Sequence, residues 1–130
     1  MKELYLLVVG SRSITDYVFV KEKLNAIRAE KFPDYTIIVV SGGAIGVDSM
    51  AEKWAKDLGF DTVIMKAEWN KYGKSAGHIR NGEMHRFIST KPYRYVVAFW
   101  DGKSKGTAHS FDLAKKYNND IELVKYVVEN

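Results

Sequence analysis

The chain has no cysteine, so it can form neither a disulfide nor a thiolate metal site. That fits a reducing interior. It has only two prolines, Pro33 and Pro92, and lacks a proline-rich linker, a low-complexity segment or an internal repeat. No apolar run approaches the ~20 residues needed to cross a bilayer. The opening MKELYLLVVGSR carries an apolar stretch of six residues, LYLLVV. A secretion signal needs roughly 7–15, with a small-residue cleavage site after them. A cytoplasmic location is expected. Lysines and arginines are scattered rather than gathered into a like-charge block, and the net charge is only +4. This mild excess suits nucleic acid or an anionic small ligand without choosing between them. Neither the GxGxxG dinucleotide fingerprint nor the GxxxxGK[ST] phosphate loop occurs anywhere.

What is present is alternation. Five strand-like runs recur: LYLLVV (4–9), TIIVV (36–40), TVIMK (62–66), YVVAF (95–99) and IELVK (121–125). The first, second and fourth are almost continuously apolar, as in strands covered on both faces. Between them lie amphipathic segments at 16–31, 47–58, 77–89 and 107–117. Thr15 or Asp16 is a candidate cap for the first, and Gly59 a stop for the second. This β-α-β-α-β-α-β-α-β pattern predicts a single α/β domain over residues 1–130. It should be a three-layer, Rossmann-like, doubly wound parallel sheet of five strands in order 3-2-1-4-5. Such sheets place ligands at the carboxyl ends of their strands.

The chemistry-bearing residues follow those strands. In SGGAIGVD, Ser41 to Asp48, three glycines and an aspartate fall where a strand hands over to a helix. Gly42 and Gly43 allow close approach of the backbone. Gly46 stands where free helix N–H groups and the helix dipole favour an anion. A plain tight turn, with Asp48 stabilising the helix start, would use the same residues. GSRS adds Gly10, Ser11 and the planar fork of Arg12, suited to phosphate or carboxylate. WDGKSKGTAH adds Asp101, Gly102, Gly106 and Thr107, the last a candidate helix cap. His109 is read as a polar lining or surface residue. AGHIRN brings Arg80 and Asn81 to a helix start at Gly77, while Trp69 and Trp100 could each stack on a base.

GSR, SGGAxGxDxxA, a tryptophan before GxxAGxxRN, and FWDGxSxGTxH together resemble the SLOG superfamily, in particular its small YspA-related branch of bacteria and bacteriophages. The likeness runs from Leu6 to Ala114. SGGAxGxD is also similar to the DNA-processing proteins of natural transformation, and cytokinin-activating phosphoribohydrolases belong to the same superfamily. The resemblance implies a site for a nucleotide or nucleotide-derived ligand, such as a fragment of NAD or ADP-ribose. By position, that site comprises Gly10, Ser11, Arg12, Ser41, Gly42, Gly43, Ala44, Gly46, Asp48, Arg80, Asn81, Asp101, Gly102, Gly106 and Thr107. It also implies assembly into homo-oligomers by analogy. The phosphoribohydrolases carry PGGxGTxxE after the fourth strand, whereas this chain has WDGKSKGTAHS, with Ser110 in the glutamate's place. The leading expectation is therefore nucleotide binding or sensing. The alternatives are a nucleotide hydrolase using Asp48 or Asp101, and a single-stranded nucleic-acid binder using Lys71, Lys74, Arg80, Lys103 and Lys105.

Overall fold

The structure, a computed structural model, describes residues 2–128. Strands β1 (Glu3–Gly10), β2 (Thr36–Ser41), β3 (Asp61–Ile64), β4 (Arg94–Trp100) and β5 (Ile121–Lys125) alternate with helices. These are α1 (Tyr17–Lys31), α2 (Val47–Leu58), α3 (Trp69–Tyr72), α4 (Ala76–Ser89) and α5 (Lys105–Tyr117). All strand pairs are parallel, and the order is β3-β2-β1-β4-β5, as the alternation predicts. Gly10 stands opposite Phe99, and Ser41 opposite Ile64, so the strands' carboxyl ends share one edge. Among the described residues, no helix is long and apolar enough to cross a membrane.

Strand periodicity divides the core into two layers. Leu4, Leu6 and Val8 of β1, with Val97 and Phe99 of β4, pack against Val20, Leu24 and Ile27 of α1 and Met50, Ala51 and Trp54 of α2. Leu7 and Val9, with Val96 and Ala98, meet Met84 and Ile88 of α4, and Phe111 of α5 joins them. The three central strands are buried on both faces, which accounts for their continuous apolar runs.

Local chemistry sets the helix ends. Asp16, not Thr15, caps α1 by accepting from the amide of Phe19 at 3.1 Å. Gly59 closes α2 in the left-handed conformation, as its position predicts. Most boundaries fall within one residue of the expected ones, and three differences bear on the site. β3 ends at Ile64 rather than Lys66, although the Met65 amide still bonds the Ser41 carbonyl at 2.8 Å. α4 begins at Ala76 rather than Gly77, after the unexpected α3 and a 3₁₀ turn over Gly73–Ser75. α5 begins at Lys105 because Ser104, not Thr107, is its cap: Ser104 Oγ accepts from the Thr107 amide at 3.3 Å.

At the end of β1 the first turn of α2 lies against the strand. A Cβ on Gly10 would fall 2.4–2.7 Å from the side chain of the buried Val47. Gly10→Ala is expected to lower stability by about 1–3 kcal/mol through overpacking, read as a fall in the urea midpoint. Adding Val47→Ala should recover part of the loss, because the two residues are in contact.

Candidate functional site

A cleft of about 460 Å³ opens at the carboxyl edge, beside the ends of β1 and β4. This is where the chain order reverses, with β2 on one side of β1 and β4 on the other. Its walls come from the end of β1, the loops that follow β1, β2 and β4, and residues of α2, α3, α4 and α5. Of the residues anticipated from sequence, Gly10, Arg12, Ala44, Asp48, Trp69, Arg80, Asn81, Asp101, Gly106 and Thr107 line it together.

One wall is organised by Arg80. Its Nη1 donates to the Gly42 carbonyl at 2.7 Å, and its Nε to Asn81 Oδ1 at 2.9 Å. A Cβ on Gly42 would meet the guanidinium at 2.6 Å and Asp48 Oδ2 at 2.9 Å. Gly42 therefore makes room for the protein's own arginine and aspartate. Gly46, at a φ of 84°, likewise packs against the backbone of Arg12. The Asp48 carboxylate is only 7% exposed and accepts the Ala44 amide at 3.2 Å. Burial pushes its pKa up to about 6, against the opposing pull of the Ala44 amide and of Arg80. Burial also lowers the pKa of Arg80, opposed by Asp48.

The opposite wall is tied by Asp101. Its carboxylate accepts Ser13 Oγ at 2.7 Å and the amides of Lys103 and Ser104 at 2.8 and 2.9 Å. Its own amide donates to Ser11 Oγ at 3.1 Å. These donors, Ser13 foremost, hold the carboxyl well below the usual carboxylate range. Asp101 thus stays ionised and occupied by its own loops, whereas Asp48 titrates nearer neutrality. Arg12 is exposed and makes no hydrogen bond or ion pair with a described residue. The amides of Lys105 and Gly106, at the start of α5, also have no acceptor among the described residues.

Other anticipated residues lie outside the cleft. Ser11 is buried behind it, bonded to Asp101. Ser41 Oγ donates to Glu52 at 2.6 Å and accepts the Gly43 amide at 3.2 Å, pinning the turn to α2. Gly43 faces Lys66 and Ile64, and Gly102 sits in an exposed turn. Trp100 packs on Phe111 and donates Nε1 to the Ser104 carbonyl, so its ring is not part of the cleft. Trp69, 52% exposed, does line it, its ring 3.6 Å from where a Cβ on Gly77 would lie. His109 is not a lining residue; its ring packs on that of His78 at 4.4 Å.

Sequence reasoning missed Ser13, His78, Met84, Ser104 and Ser110 as lining, and placed Lys74 only in a nucleic-acid surface. Ser110 had a legible signal, since it lies three residues beyond Thr107 on one helical face. Met84 had none, because a methionine on an apolar helical stripe reads as core.

Fold and site together define an open, doubly wound α/β protein with a cleft of small-ligand size at its carboxyl edge. The chain belongs to the YspA, cpYpsA-related SLOG family, whose model matches residues 5–72. It is 36% identical over 116 residues to the Gene 61 protein of Mycobacterium phage D29, covering 85% of this chain and 88% of that one. In fold it is similar to the C-terminal domain of a hydrogenase from Pyrococcus furiosus, with a TM-score of 0.50 and 8% identity. That match covers 95% of this chain and 91% of the other, and at this identity it speaks to fold alone.

The surroundings of Asp48 predict a pH-dependent stability. Its folded pKa of about 6 lies above the ordinary aspartate value of 3.8, so the native state holds the proton more tightly. The contribution is whole below about pH 4 and is lost as pH rises through 6, amounting to up to ~3 kcal/mol. Asp48→Asn keeps a neutral group at every pH. It should exceed the wild type in stability by about 1–3 kcal/mol at pH 8 and match it at pH 4, as measured by denaturant titration.

Proposed function

We propose that the cleft binds a nucleotide or nucleotide-derived ligand, with the phosphate at Arg12 and the start of α5 and the base against Trp69. The observation that carries this reading is the unengaged state of those groups. The Arg12 side chain and the Gly106 amide make no hydrogen bond with a described residue, although Arg12 feels the charge of Asp48, and both residues line the same cleft. A guanidinium and a helix N-terminus suit a phosphate, and an exposed indole offers a stacking face. Arg80 and Asp101, by contrast, are already hydrogen-bonded to the protein and shape the walls. Membership of the SLOG family supports the same reading.

A second reading, hydrolysis of the bound nucleotide, is favoured by one feature. Asp48 is a buried carboxyl lining the cleft, with a pKa near enough to neutrality for proton transfer. Asp101 is too firmly ionised to act as the acid.

A thermal-shift panel of AMP, ADP, ADP-ribose, NAD and cyclic dinucleotides tests binding. A ligand at 100 times its dissociation constant should stabilise the fold by about 2.7 kcal/mol. Arg12→Ala should keep the ligand-free melting temperature and weaken binding by about 10–100-fold, the worth of a charged hydrogen-bonding partner. A flat response across the panel contradicts the proposal. Chromatography of incubated ligands would show free base or ribose 5-phosphate if Asp48 works as an acid or base.

A further inference from the structure

The deep end of the cleft differs chemically from its rim. Between α4 and α5 lie Asn81, 9% exposed, and Ser110, 1% exposed, beside the apolar Val9 and Met84. Ser110 Oγ has no hydrogen-bond partner among the described residues. Asn81 Oδ1 is taken by Arg80, leaving Nδ2 without a partner among the described residues. That Nδ2 lies 4.0 Å from the position a Cβ on Gly106 would occupy, so it faces the start of α5. Thr107, the third polar group there, is already committed: its hydroxyl donates to Ser104 Oγ at 3.1 Å. A buried hydroxyl with no partner is uncommon and asks for one.

The chemistry of the floor narrows what can occupy it. A phosphate would sit in a buried space between an uncharged hydroxyl and a carboxamide, at a steep desolvation penalty. A nucleobase would find no ring to stack on, since the aromatic lining residues, Trp69 and His78, are both exposed at the rim. An amide N–H that can only donate, and on the same floor a hydroxyl that can donate or accept, suit a pair of hydroxyl oxygens. We infer that the deep end takes the ribose of the nucleotide, its vicinal hydroxyls bonding Ser110 Oγ and Asn81 Nδ2. The phosphate stays at the Arg12 rim. This rests on the nucleotide reading and adds to it an orientation and a selectivity for ribose over deoxyribose.

Calorimetric titration of wild type and Ser110→Ala with AMP and ADP, and with their 2′-deoxy and 2′,3′-dideoxy forms, tests it. Ser110→Ala should fold with an unchanged or higher melting temperature, since the hydroxyl removed has no partner in the protein. The wild type should lose roughly tenfold in affinity on removal of the ribose hydroxyls, and Ser110→Ala should lose about as much for AMP and ADP. The dideoxy forms should bind the variant and the wild type alike. If AMP or ADP binds but deoxygenation has no effect, or Ser110→Ala weakens ribo and dideoxy forms equally, the ribose assignment fails while nucleotide binding stands. Failure of AMP and ADP to bind at all overturns both.

Discussion

The hydrogen bond from Arg80 to the carbonyl of Gly42 holds the cleft in shape. It ties α4, which packs on one face of the sheet, to the turn leading into α2, which packs on the other. Glycine at residue 42 leaves room for the bond, since a Cβ there would crowd the guanidinium and the Asp48 carboxylate and oblige them to shift. With Arg80 so placed, Asn81 is turned toward α5 and Asp48 is buried beside a cation. The glycine-rich turn is thus a socket for the protein's own arginine. The part of the edge left open to a ligand is the Arg12 side and the start of α5.

The two carboxylates of the site show how one edge sets opposite behaviours. Asp101 receives a hydroxyl and two amides and is locked in its charged form, serving as the knot between the β1 and β4 loops. Asp48 receives one amide in a buried setting and is held less stably when charged. Unrelieved polar groups gather on α4 and α5 as well: Ser110 Oγ, His85 Nε2 and His109 Nδ1 are all buried without a hydrogen-bond partner among the described residues. Burial holds His85 neutral, lowering its pKa to about 4. Natural proteins tolerate such groups most readily where function needs them. Ser110 and Asp48 line the cleft, whereas His85 stands behind it, bonded to Asn119 through its own carbonyl.

The architecture was readable because the three inner strands are buried on both faces and announce themselves as unbroken Val, Ile and Leu runs. Four amphipathic segments between them leave few topologies. Boundaries were less legible where competing caps stood close together. Ser104 and Thr107 can each cap a helix, and only the loop geometry set by Asp101 favours the earlier one. The region after β3 was hardest, since a four-residue helix and a 3₁₀ turn leave no periodicity to detect. Within the candidate site, the sequence pointed to the edge where the cleft lies but not to which glycines face inward. Gly42 and Gly46 meet Arg80 and Arg12, a tertiary fact that local spacing does not encode. Trp100 failed as a stacking face for a similar reason: Phe111 and the Ser104 carbonyl hold its ring away from the cleft.

We propose that the carboxyl edge, and no other surface, receives a nucleotide phosphate. Amide chemical-shift mapping of the ¹⁵N-labelled protein during titration with ADP tests it most directly. Saturable shifts are expected at Arg12, Ala44, Gly106 and Thr107, with residues of the amino edge such as Tyr5 and Tyr93 unmoved. Shifts centred on that amino edge, or none at any amide, would contradict it.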